Sequence, residues 1–192
     1  VYFHHYNINK LDMIVSRNVA DYDLFLISSF DHPRVKSIIG RIPAYKVLII
    51  SRKDRLDESY NSIVHDFHQG TYNALNSAHD KICKYKKLVL SFPEKGWHSP
   101  TLKDGFTQYC RENSMSCHKV TSLRETQIKE GEAYLVMDDQ DIIQLIKICK
   151  AKGWEIGTDV GLISYHETPI KEVILNGLSV VSCNFAQMAK LM

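Results

Sequence analysis

Long apolar runs are absent: no stretch of the chain reaches the roughly 18 to 20 residues that a membrane-spanning helix needs, and no cationic-then-apolar leader opens it. This predicts a soluble, cytoplasmic chain without a membrane partner. An excess of one charge sign is also missing. Lys and Arg number 24 against 22 Asp and Glu, a net of +2, and the balance holds locally, with nine basic and seven acidic residues in 1–64 and fifteen of each thereafter. Phosphate backbones are bound by local cation excess, so these residues do not read as a nucleic-acid surface. The five cysteines, Cys83, Cys110, Cys117, Cys149 and Cys183, form no CxxC pair. Most fall in apolar-periodic segments, where a free thiol behaves as a small buried hydrophobe, so a reducing compartment fits better than a disulfide framework or a zinc site. GxGxxG, GxxxxGK[ST] and GxSxG are all lacking. The common dinucleotide, P-loop and hydrolase readings thereby lose their main support. No metal or cofactor is expected.

What is present is an ordinary globular composition, 192 residues at 44% hydrophobic, enough to bury one large or two small cores. Residues 1–6, from Val1 to Tyr6, are β-prone. Ile8, Leu11, Ile14, Val15 and Val19 then recur at helical spacing over 8–20, and Leu24 to Ile27 forms an uninterrupted apolar run, the pattern of a strand buried on both faces. The unit repeats, with a helix at 32–41 ending before Pro43 and a strand at 47–50. A polar stretch at 54–62 reads as a crossing or linker. Beyond it come a helix from Asp66 to about Tyr85, a strand at 87–92, a helix at 100–113 and a weak strand at 118–120. A strand at 134–137, a helix ending at Gly153, a strand at 160–165, a short helix at 169–175, a strand at 178–182 and a helix from 185 follow. Alternating strands and helices with short loops predict an α/β fold of two Rossmann-like lobes with parallel sheets.

In such sheets ligands bind beyond the carboxyl ends of the strands. Those loops are residues 4–7, 28–31, 51–53, 92–98, 137–141 and 164–167, and they hold hydroxyls, amides, carboxylates and flat rings, the mixture that binds a polyol. Trp97 either stacks on a ligand or packs over the sheet edge. The acidic run Asp138-Asp139-Gln140-Asp141 either holds a divalent cation or caps the helix it precedes. His4-His5 could ligate a metal, but neighbours on a strand point to opposite faces. Lys81, Lys84, Lys86 and Lys87 form a basic knot that is a solvated helix end or a phosphate site, and His166-Glu167 is weighed as an acid/base pair against adjacency that seldom converges on one atom.

From Val64 to Phe185 the order and spacing of these pieces resemble the effector-binding core of the LacI/GalR transcriptional repressors, which has the periplasmic sugar-binding-protein fold. Val64 to Gly70 looks like the family's V-x-D-x-x-x-G crossing, with Ala78 and Lys87 to Leu90 as the following helix and strand. Ser99 to Gly105-Phe106 is similar to S-x-x-R-x-x-G-F, Leu135 to Asp139 to the strand ending in Asn-Asp, Gly153 to Tyr165 to G-x-x-V-P-x-D-V-S-V-V-G-F, and Leu178 to Val181 to the L-T-T-V strand. Three positions depart. Leu102 stands where the family's arginine grips a sugar hydroxyl, His166 where its aspartate follows Gly-Phe, and Ile156-Gly157 where it has Val-Pro. The second half also looks like regulators of Bacteroides-like bacteria in which this domain follows a GntR-type winged helix.

The resemblance implies a periplasmic binding protein-like type I fold, with residues 1–64 an N-lobe lacking its first strand and helix, 65–181 a C-lobe, and 182–192 a return crossing and the start of a terminal helix. It implies the sensor and dimerisation part of a transcription regulator, not an enzyme, with DNA bound by a head preceding residue 1. A small-molecule effector, a sugar or derivative, is expected in the cleft between the lobes, where it would control operator binding allosterically in a homodimer. On this frame the carboxyl-end loops predict a pocket of His5, Asn7, Ser28, Phe30, Arg52, Trp97, His98, Asp139 and His166. Phe30 and Trp97 would stack on the ring, Asn7, Asp139 and His166 would bind hydroxyls, and Arg52 and His98 would meet an anionic substituent. A solute receptor of a sugar transport system is the alternative, and a metal-dependent sugar-processing enzyme using Asp138-Asp139 the third.

Overall fold

The computed structural model describes residues 1–51, 56, 59–94 and 98–192. They divide into two compact units, one of Val1–His65 with Asn184–Met192 and one of Asp66–Cys183. Every strand pairing in both is parallel.

In the smaller unit, α1 (Ile8–Asn18) and α2 (Val35–Ile39) accompany β1 (Phe25–Ser28), β2 (Val47–Ser51) and β3 (Asn61–Val64), which lie in the order β1-β2-β3. The core gathers Leu11 and Val15 of α1, Val35, Ile38 and Ile39 of α2, and Ile27, Val47 and Ile49 of the sheet. Asp12 of α1 pairs with Arg34 at 3.0 Å and with Arg41 at 2.7 Å, tying the helix pair together at its surface. The apolar run at 24–27 is not buried on both faces: Ile27 is covered, whereas Leu26 is 51% exposed. The buried residues of β1 and β2 alternate, because the helical layer covers one face of this sheet. Residues 1–4 are not in a strand. His5 and Tyr6 take positive φ, 51° and 58°, and make a turn before α1. The β3 strand falls partly within the stretch read as a linker, because Asn61-Ser62 carries no apolar signal of its own.

The larger unit holds α3 (Phe67–Ser77), α4 (His79–Ile82), β4 (Lys87–Ser91), α5 (Leu102–Glu112), β5 (Cys117–Val120), β6 (Glu132–Val136), α6 (Asp139–Lys152), β7 (Gly161–Tyr165), α7 (Pro169–Val173) and β8 (Ser179–Val181). Strand order is β5-β4-β6-β7-β8. Two cores flank this sheet. Leu75, Leu88, Leu90, Leu102, Phe106, Tyr109 and Leu135 fill one face under α3 and α5, and Val89, Tyr134, Val136, Ile142, Leu145 and Cys149 fill the other under α6. The helix predicted over 66–85 is interrupted at Ala78, which leaves helical geometry (φ −99°, ψ 12°) and starts α4. At Gly105 a Cβ would collide with the His68 carbonyl, so α3 and α5 meet backbone to backbone where only glycine fits. Asp138 caps α6 by accepting from the Gln140 amide at 2.8 Å, acidic side chains fill its first turn, and Gly153 closes it with φ 71°.

The helix read at 169–175 ends early. After α7 a single 3-10 turn, Ile174–Asn176, carries Leu175 and Asn176 at positive φ, so the chain reverses into β8 through left-handed residues other than glycine. No helix among the described residues is long and apolar enough to cross a membrane.

Candidate functional site

The larger sheet reverses direction between β4 and β6: from β4 the chain moves outward to β5, then returns past β4 to β6 and continues to β7 and β8. Such a switch point leaves a crevice at the carboxyl ends of the two strands, because their connections lead away on opposite sides. Phe92 and His98 follow β4, Asp138 and Asp139 follow β6, and Tyr165 ends β7 with His166 next in the chain.

Those loops converge. The His98 ring lies 6.0 Å from Phe92, 5.7 Å from Tyr165 and 6.2 Å from His166, nearly parallel to the last at 26°. Tyr165 and His166 are 4.4 Å apart. His166 has φ 59°, and its amide donates to the Val181 carbonyl at 2.9 Å, so β8 fixes the start of this loop. Burial raises the Tyr165 phenol above its ordinary value, and its hydroxyl lies 3.8 Å from the Cys183 sulfur. Burial likewise pushes the Cys183 thiol up, against the lowering effect of the Tyr165 contact. Lys103 of α5 holds its ammonium 4.1 Å from the centre of the Phe92 ring, a cation–π distance.

Asp139 meets the group from α6. Its Oδ1 lies 3.1 Å from Nζ of Lys171, which also donates to the Tyr165 carbonyl at 2.9 Å and the His166 carbonyl at 3.1 Å. His98, His166 and Asp139, three residues that sequence reading assigned to a pocket, are thus brought to one end of one sheet. Ring faces, imidazole nitrogens and a carboxylate are chemistry suited to holding a hydroxylated ring.

Asp138 and Asp141 of the acidic corner serve the fold. Asp138 caps α6, Asp139 pairs with Lys171, and Asp141 is buried, accepting from the Ser91 hydroxyl and from the Leu123 amide at 3.1 Å. Among the described residues no group of three or more His, Cys, Asp or Glu is placed to hold a metal ion. In the basic knot, Lys87 pairs with Glu132 at 3.1 Å and Lys84 donates to the Gly157 carbonyl, so two of its four cations serve the fold.

In the smaller unit the assigned residues divide differently. Phe30 is buried within a ring cluster, 4.9 Å from His4, 5.9 Å from Tyr6 and 6.3 Å from His32, so its faces are taken up by packing. Asn7 caps α1, its side-chain oxygen accepting from the Asn9 and Lys10 amides. Ser28 is exposed at the end of β1, and its carbonyl lies 3.0 Å from His4 Nε2. His5 points elsewhere, against Phe3 at 5.9 Å. Its neighbour His4 is the one joined to the sheet end, through the Ser28 carbonyl. Arg52 and Trp97 lie outside the described residues.

Sequence reasoning left Lys171, Lys103 and Phe92 out of the site. Phe92 ends the apolar run of β4 and could have been picked out by position alone. Lys171 carries no signal, since a lysine beside Glu172 in a short helix reads as solvent-facing. Leu102, where the resembled family has its arginine, is fully buried in the α5 core and contributes packing.

A family profile for a periplasmic binding protein-like domain matches residues 84–192. Among curated proteins none matches the chain. Solved structures do. A probable maltose operon transcriptional repressor from Staphylococcus aureus aligns with TM-score 0.71 at 14% identity, over 96% of this chain and 72% of its own. A LacI family transcriptional regulator from Lactobacillus casei, with bound sucrose, aligns with TM-score 0.67 at 14% identity, over 95% and 73%. A dimeric Lac repressor with an 11-residue C-terminal deletion aligns with TM-score 0.73 at 14% identity, over 96% and 72%. With the profile spanning more than half of its residues, and with the fold of LacI-family repressors, the chain belongs to the periplasmic binding protein-like domain family.

Proposed function

We propose that this chain is the effector-sensing part of a LacI/GalR-like transcription regulator and that its ligand is a sugar or sugar derivative. The observation that carries the reading is the meeting of His98, His166 and Asp139 at the switch point of the larger sheet. Trp97 stacks on the ligand ring, while Asp139 and His166 hold hydroxyls and His98 meets an anionic substituent. Sucrose bound in one structural neighbour supports a sugar as the ligand class, and the dimeric form of another supports a homodimer.

Operator binding belongs to a separate DNA-binding head, in keeping with the even charge of these residues. Ligand that favours one arrangement of the units shifts their equilibrium, with a coupling of about 1–3 kcal/mol to the DNA-bound state.

A thermal-shift panel of sugars, sugar phosphates and divalent ions tests this reading, because a specific ligand raises the melting temperature by mass action. Trp97→Ala is expected to weaken binding of the best sugar several-fold, as measured by calorimetry. Unchanged affinity removes Trp97 from the site, and a panel in which only divalent ions stabilise the protein overturns the sugar reading.

A further inference from the structure

Lysines are rarely buried unless every donor finds a partner. Lys171 is 5% exposed, and its ammonium is shared among three acceptors on two segments: the carbonyls of Tyr165 at the end of β7 and of His166 just beyond it, and the carboxylate of Asp139 at the start of α6. The two carbonyls lie where the β7–β8 ladder stops, and the second belongs to a residue at φ 59°. A non-glycine residue in that region is held by its surroundings rather than by preference. Asp139 keeps its side chain 62% exposed while pinned through Oδ1, so the pairing orients the carboxylate without burying it.

We propose that Lys171 is a positioning residue whose single ammonium locks Asp139, at the start of α6, and His166, just after β7, into one orientation from which both reach the same hydroxylated effector. This rests on the reading that these loops bind an effector. Asp139 thereby has two duties, orienting through one oxygen and offering the other to a hydroxyl. The clasp also joins the two segments energetically: removing the carboxylate on α6 loosens the turn after β7.

The test uses the whole chain and three variants, Lys171→Met, Asp139→Asn and the double variant, each followed by hydrogen exchange and by sucrose and glucose binding. Asp139→Asn, a substitution at an exposed side chain, is expected to speed exchange in 165–168 at least threefold and to leave 133–136 of β6 unchanged. Lys171→Met is expected to speed exchange in both 165–168 and 138–141 about tenfold. The double variant should resemble Lys171→Met alone, since coupled partners are not additive. For a sugar that binds the unmodified protein, Lys171→Met should cost at least tenfold in affinity, and the double variant no more than that.

Exchange in 165–168 that ignores Asp139→Asn overturns the clasp, even if Lys171→Met fails to fold. Additive losses of affinity overturn the joint action. If the unmodified protein binds neither sugar, the choice of sugar in the proposed function is what fails, and the exchange measurements still decide the role of Lys171.

Discussion

The two sheets of this protein are built from similar apolar strands yet are dressed differently. In the larger unit β6 is buried along its whole length, with Tyr134 and Val136 packed under α6 and Leu135 under α3 and α5. In the smaller unit β1 buries Ile27 and leaves Leu26 half exposed. A continuous apolar run therefore states that a strand is compatible with two covered faces, and the layers around it decide whether both are covered. The strands of the larger sheet have helices on both sides because their crossovers leave in both directions from the switch point, whereas the smaller core draws on α1 and α2 and one sheet face.

The contrast breaks most readily by equal truncation. Leu135→Ala, in a site with no exposed surface, is expected to cost about 2–5 kcal/mol, while Leu26→Ala costs less than about 1 kcal/mol. Chemical denaturation of the two variants checks this, and equal losses would mean that Leu26 is covered in solution. A smaller effect is expected from Asp141→Ala, about 2–3 kcal/mol, because it leaves the buried Ser91 hydroxyl and Leu123 amide without their acceptor. It should fall on the larger unit alone, as read by hydrogen exchange in β4 and α6.

The smallest effect belongs to the smaller unit and to acid. Arg41, then Arg34, hold the Asp12 carboxyl below its ordinary value. A carboxyl lowered in the folded state adds stability that is present above the unfolded value near about 4 and is lost as pH falls through the folded value. Asp12→Asn should flatten the acid limb of the smaller unit's stability profile in a pH series of melts. The same slope in both proteins would remove Asp12 from that limb.

Much of the fold was legible because it is written in side-chain types. The runs of β4, β6 and β7, the Asp138 cap and the Gly153 stop announce their own conformations. Asn61-Ser62 of β3 does not, since two polar residues join a sheet only because β2 offers a partner edge. The interruption at Ala78 has no glycine or proline to mark it. For the site, the rule about strand ends points to His98, His166 and Asp139 from the chain alone, and the structure sets these three at one end of the larger sheet. His5 is picked out as following a β-prone run, and the structure instead sets it in a turn with its ring against Phe3; Lys171 gives no signal, because its partners are largely backbone carbonyls that no sequence pattern displays.

The bare Cα of Gly105 has a mechanical corollary. With the His68 carbonyl occupying the space that a methyl group would need, α3 and α5 accept no side chain at this crossing without moving apart, so even alanine at 105 would pry open the seam between them.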